Sequence, residues 1–191
     1  MITQEQKNKM IEKGRIILRP LDAFAHYVAV YSFGTIPILY IASELHRAST
    51  SIVETETSFK EQMIFVLIST LLLVALYTIQ LERLKLKKET VELDESEVLE
   101  VINQVGKKFD WTPHLLNRDI VQGDSMGFLS GSNRITILIQ GKDIYINCRT
   151  KGGDLIGFAR QSRMTEEFLS SLRMRNYEIK FQKEKLLKQA L

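Results

Sequence analysis

Cysteine is nearly missing from this 191-residue sequence: Cys148 stands alone, which excludes an internal disulfide and any cysteine-based zinc cluster. Histidine is scarce too. His26, His46 and His114 fall in three separate regions, so no metal site and no cofactor is expected. Charge of one sign is also lacking: 26 Lys and Arg against 23 Asp and Glu leave +3, too little to argue for nucleic acid. Most informative is where charge disappears altogether. Residues 23–42 and 63–81, twenty and nineteen in length, contain no Asp, Glu, Lys or Arg.

At 1.5 Å per helical residue each of these stretches reaches about 30 Å, the thickness of a bilayer's hydrocarbon core. The expected fold is a membrane α-helical hairpin of two transmembrane helices plus a small cytoplasmic α+β domain with a three-stranded antiparallel sheet. In order, this gives a cytoplasmic amphipathic segment (1–20), a hairpin (21–81, with spans 21–42 and 63–81 around an external loop 43–62), a basic juxtamembrane linker (82–93), the α+β domain (94–175) and a basic tail (176–191). The first apolar run is too long for the core of a signal peptide, and Tyr40-Ile41-Ala42-Ser43 is a poor cleavage site, so the span is read as retained.

Flanking charge sets the orientation. Lys7, Lys9, Lys13, Arg15 and Arg19 precede the first span, and Arg83, Lys85, Lys87 and Lys88 follow the second. The loop between has only Arg47 and Lys60 against Glu44, Glu54, Glu56 and Glu61. Both termini are therefore placed in the cytoplasm of a bacterial inner (plasma) membrane. Met10, Ile11, Ile16, Ile17 and Leu18 are expected to enter the headgroup region from a helix lying on the bilayer, which Pro20 ends. Asp22 and His26, four apart on one helix face, pair at the first turn with Asp22 as N-cap; their alternative is a proton relay. Ala25, Ala29 and Ser32 form a strip suited to close helix approach and self-association, and Pro37 near Gly34 predicts a kink.

In the polar half, Asp94 and Glu97 make a capping box that opens a helix with Val98, Leu99, Ile102 and Val105 on one stripe and Gly106 at its end. Strands are expected at 114–122, 134–140 and 144–149, the last two joined by Gly141-Lys142-Asp143. A helix beginning at Thr165 covers one face through Phe168, Leu169 and Leu172, and the basic tail beyond Arg173 either returns to the membrane or frays.

Three stretches, Ser132-Asn133-Arg134-Ile135-Thr136-Ile137, Ile144-Tyr145-Ile146-Asn147 and Gly157-Phe158-Ala159-Arg160, resemble segments of small uncharacterised bacterial inner-membrane proteins. Those proteins join a membrane hairpin to a cytosolic α-β-β-β-α domain. The resemblance spans residues 95–172 and implies the fold but no activity.

Chemistry has one sharp candidate. Val121-Gln122-Gly123-Asp124-Ser125-Met126 resembles the box around the nucleophile of Ser/Lys proteases, with Lys142 or Lys151 as base. Without the proline that commonly follows and without a second Gly-Asp box, residues 123–126 read instead as loop chemistry. Lys151-Gly152-Gly153-Asp154 reads as a turn, and Arg149, Arg160 and Arg163 either gather as an anion or headgroup site or solvate a face. No residue is assigned a catalytic role, and no small-molecule substrate is identified. The expected function is a non-enzymatic inner-membrane protein whose cytoplasmic domain mediates protein–protein interaction or scaffolding. The lipid bilayer and other membrane subunits, or a second copy through the first span, are its partners. The alternatives are an oligomeric pore-forming effector and a membrane-anchored Ser/Lys hydrolase using Ser125.

Overall fold

The computed structural model describes residues 2–49, 59–127, 131–150 and 158–189. Its core is a five-stranded antiparallel sheet in the order β1-β5-β4-β3-β2, from β1 (Lys87–Thr90), β2 (Trp111–Asn117), β3 (Ile120–Gly127), β4 (Gly131–Gln140) and β5 (Asp143–Thr150). Two more strands are present than the pattern predicts. The single strand expected at 114–122 is a hairpin that turns at Arg118 and Asp119, since Asn117 pairs with Ile120. Asn117-Arg118-Asp119 is turn chemistry that the flanking apolar residues outweighed. Residues 123–126, expected to form a loop, lie inside β3. The supposed linker holds β1, an edge strand of Lys and Glu without apolar alternation. Ion pairs on both faces hold it: Lys88 to Asp143 at 2.8 Å, Lys87 to Glu166 at 2.5 Å, and Glu89 to Arg173 at 2.6 Å.

One sheet face packs against α4 (Glu95–Lys108) and α5 (Phe158–Gln189), burying Val121, Ile135, Ile137, Ile144 and Ile146 beneath Val98, Ile102, Phe168 and Leu172. The Asp94–Glu97 capping box forms as expected, each side chain accepting the other's backbone N–H at 2.8 Å. Helix α4 runs past Gly106 to Lys108. Gly106 is there for space, because a Cβ would lie 2.9 Å from the Trp111 carbonyl oxygen.

The second face carries a correction. Helix α1 (Gln4–Lys13), capped by Thr3 and closed by Gly14 at φ 61°, does not spend its apolar side on lipid. Met10 and Ile16 are buried with Leu84 against Ile120 and Leu138 of the sheet, and the Lys7 side chain, 3% exposed, reaches Asp119 at 3.0 Å. A sheet that is apolar on both faces needs two covers, and the helix beginning near Thr165 accounts for only one of them. The Ile16 amide donates to the Leu84 carbonyl at 2.8 Å and the Leu86 amide to the Gly14 carbonyl at 2.9 Å. The chain leading into the hairpin and the chain leaving it are thus stitched side by side.

Between those stitches stand α2 (Pro20–Ser49) and α3 (Phe59–Glu82), longer than the expected spans and taking up both ends of the expected loop 43–62; residues 50–58 lie outside those described. Within them, Pro20–His46 and Glu61–Glu82 are long and apolar enough to cross a membrane, with only 11% and 6% of their most apolar windows buried. The face of α2 toward α3 is built on buried His26, Val30 and Pro37, with half-buried Gly34 among them; Ser32 points outward.

Helix α5 is one element of 32 residues, starting before Thr165 and continuing through the expected tail. It follows the direction of β1, as successive contacts show: Glu166 with Lys87, Arg173 with Glu89, and Asn176 with the Glu92 amide at 2.8 Å. Its C-terminal half therefore leaves the sheet at the end opposite the hairpin, and does not return to it.

Candidate functional site

The second sheet face changes character along its length. Beneath α1 it is an apolar row of Ile120, Leu138 and Tyr145; nearer the hairpin it becomes polar. The first polar row is His114, Gln122, Thr136 and Asn147, in register across four strands. Gln122 donates to the Thr136 hydroxyl at 3.1 Å. The Asn147 amide donates to the carbonyls of Arg83 and Lys85 at 2.8 Å each, anchoring the chain below α3. The next row is Asp124, Arg134 and Arg149. Arg134 Nε donates to Asp124 Oδ1 at 3.1 Å, and Arg149 lies 3.9 Å from Asp22 Oδ2 at the base of α2.

These rows floor a cleft of about 540 Å³, walled by residues 16–20 and the first turn of α2, with Arg19 and Asp22 on its lining. The Arg149 side chain is 7% exposed. Burial pushes its pKa down from the ordinary value; Asp22 offsets part of that shift and the facing Arg134 adds to it. Three arginines against two aspartates leave the lining one net positive charge.

The residues singled out from the sequence fall elsewhere or pair differently. Asp22 sits in the third position of α2, not at its N-cap, and faces Arg149. His26 is buried and its Nε2 donates to the Gln80 carbonyl at 2.9 Å, fastening α2 to α3. Ser125 is fully buried, its hydroxyl donating to the Phe109 carbonyl at 2.9 Å. Lys142 lies in the β4–β5 turn, roughly 23 Å along the strands from Ser125 at ~3.3 Å per residue, and Lys151 is outside the described residues. Arg149 and exposed Arg163 sit on opposite faces of the sheet, and the Arg160 side chain is outside the described set. Of the two alternatives for Arg149, Arg160 and Arg163, exposed Arg163 solvates a face, while Arg149 stands with Arg134 and Arg19. A signal for this existed. The β4–β5 turn has two residues, with Gly141 at φ 60°, and counting outward from Gln140 and Asp143 brings Arg134 opposite Arg149.

Among the described residues no three His, Cys, Asp or Glu side chains gather as metal ligands would. A comparison with protein-family models and with curated proteins finds nothing that matches this chain.

Proposed function

We propose that this chain is a multi-pass protein of a bacterial plasma membrane, with both termini cytoplasmic, that acts by holding an interaction domain against the bilayer. One observation carries the reading: the apolar side chains of α2 and α3 remain uncovered by the rest of the protein. Leu21 is 85% exposed, Leu39 67% and Leu71 61%. A core helix of a water-soluble fold would bury such residues at about 25 cal/mol per Å². Here lipid is the solvent that matches them.

The stitched ends of the hairpin support placing α1 and the sheet domain on one side, the side that the flanking Lys and Arg residues favour. The far end of α5 supports the interaction role. Met174, Tyr177 and Phe181 follow one another at three and four residues and are 64%, 71% and 59% exposed, on the half of α5 that lies farther from the hairpin and so from lipid. An apolar stripe in that position fits a protein partner. The small-residue strip at Ala25, Ala29 and Ser32 leaves room for a second copy or another membrane subunit alongside α2.

The tests are direct. The intact protein is expected to stay in the membrane pellet after alkaline carbonate extraction, and release into the supernatant would overturn the reading. Alkaline phosphatase fused after Ser51 is expected to be active and the fusion after Leu191 inactive; the reverse pattern would invert the topology. A photocrosslinking residue at Phe181 is expected to trap a protein in intact membranes.

A further inference from the structure

We propose that the arginine cleft at the base of α2 binds a phosphate group, held between Arg149 and Arg134 with Arg19 at the rim. The lipid source of that phosphate rests on the membrane reading above; the phosphate chemistry does not. Arg134 and Arg149 are direct cross-strand partners on one face of an antiparallel pair, an arrangement that repels and destabilises when both residues carry the same charge. Asp124 and Asp22 relieve that repulsion in part, and an anion shared between the two guanidiniums would relieve the rest.

Burial adds to the demand for an anion. The Arg149 side chain is 93% removed from water, yet among the described residues the one carboxylate within ion-pair range stands at 3.9 Å, beyond hydrogen-bond distance. A guanidinium has five N–H donors, and a buried charge is costly unless it is paired and hydrogen-bonded. Arg134 engages Asp124 through Nε, the edge atom, which leaves its terminal nitrogens for another acceptor. Planar forks of this kind suit a tetrahedral anion with several oxygens better than a single point charge would.

Asp22 and Asp124 do not cancel the site. Asp124 orients the Arg134 guanidinium, and the described lining residues keep one net positive charge, which matches a phosphodiester monoanion. The opening of α2, a 30-residue helix, borders the same cleft and presents its positive dipole end there. Because Arg19, Pro20 and Asp22 sit where the chain enters its first apolar span, a headgroup phosphate would reach the cleft at its own depth. The cleft of about 540 Å³ holds such a group with space for its substituent.

The test uses the full-length protein in a neutral detergent, followed by thermal unfolding, with two probes added separately: inorganic phosphate and a short-chain phosphatidylglycerol. Short-chain diacylglycerol, which has the acyl chains but no phosphate, is the control. A probe at ten times its Kd is expected to raise the midpoint by about 5 °C. Arg149→Gln is expected to raise the probe-free midpoint, by relieving the facing charges, and to abolish the gain; Lys183→Gln, on distant α5, keeps the gain. Stabilisation by phosphatidylglycerol alone identifies a headgroup site. Stabilisation by inorganic phosphate identifies a site open to soluble phosphate. Either result supports the proposal.

Equal stabilisation by the phosphate-free diacylglycerol, no stabilisation by either phosphate probe, or a gain that survives in Arg149→Gln overturns it. Should Arg149→Gln not fold, Arg134→Gln and the phosphorus NMR line width of phosphate titrated with the native protein read the same question. A protein released by carbonate that still shows Arg149-dependent phosphate binding loses only the lipid source. One that stays in the membrane without such binding loses only the cleft.

Discussion

Trp111 explains two glycines that resemble punctuation in the sequence. Its backbone carbonyl lies against Gly106 of α4, and its indole lies across Gly123 of β3, where an added Cβ would fall 1.5 Å from Nε1. Neither glycine serves a turn. Both provide the thickness that an indole needs between a helix and a sheet. Gly123→Ala is therefore expected to destabilise the domain by about 3 kcal/mol through overpacking, read as a lower urea midpoint with an unchanged slope. At the same scale, Ser125 and Gly123 show why residues 123–126 do not form the loop their composition suggests. The residues match a loop signature, but pairing with Trp111 and Pro113 makes them strand.

Elements show the same dependence on distant partners. Helix α1 has the amphipathic pattern of a membrane-surface helix, and that pattern cannot distinguish a lipid surface from the apolar row Ile120–Leu138. Helix α5 has two halves with different neighbours. Its contribution to the core ends at Leu172, and Arg173 and Asn176 supply its hydrogen bonds to β1 and to the Glu92 amide. Beyond them Lys180 reaches Glu92 at 3.6 Å, an exposed pair of small value. Truncation after Asn176 is therefore expected to shift unfolding stability by less than about 0.5 kcal/mol while removing the crosslink at Phe181. A larger loss would mean that the projecting half belongs to the fold and is not offered to a partner.

Over the whole molecule, carboxylates cap helix α4 and tie separate elements together, and this gives the polar domain a directional response to acid. The Asp94 pKa is lowered by the Glu97 backbone N–H, that of Asp143 by its hydrogen bond from Lys88, that of Glu166 by Lys87, and that of Glu92 by Lys180 and Lys142. A carboxylate whose pKa is depressed by folding contributes stability above its unfolded value and loses it as pH falls through the folded value. Asp94 caps α4, while the other three tie the β1 segment to the β4–β5 hairpin and α5, and all four weaken together. Urea midpoints are expected to be level from pH 8 to about 6 and to fall between about pH 5 and 3; a midpoint that rises on acidification would contradict the sign. Each group lies at the surface, so the loss is gradual.

Features that depend on near neighbours and on solvent are legible in the chain before it folds: two uncharged runs long enough for a bilayer, the Asp94–Glu97 cap, and the alternation that marks β4 and β5. Strand β1 was illegible because its four polar residues carry no pattern, and its pairing partner lies more than fifty residues away at Asp143–Ile146. Long-range packing was needed to establish that the sheet has two covered faces, that α1 and not the bilayer covers the second, and that Arg134 and Arg149 face each other beside Asp22. The physical reason is register. Side-chain direction alternates along a strand, so which charges meet depends on pairings between residues far apart in the chain.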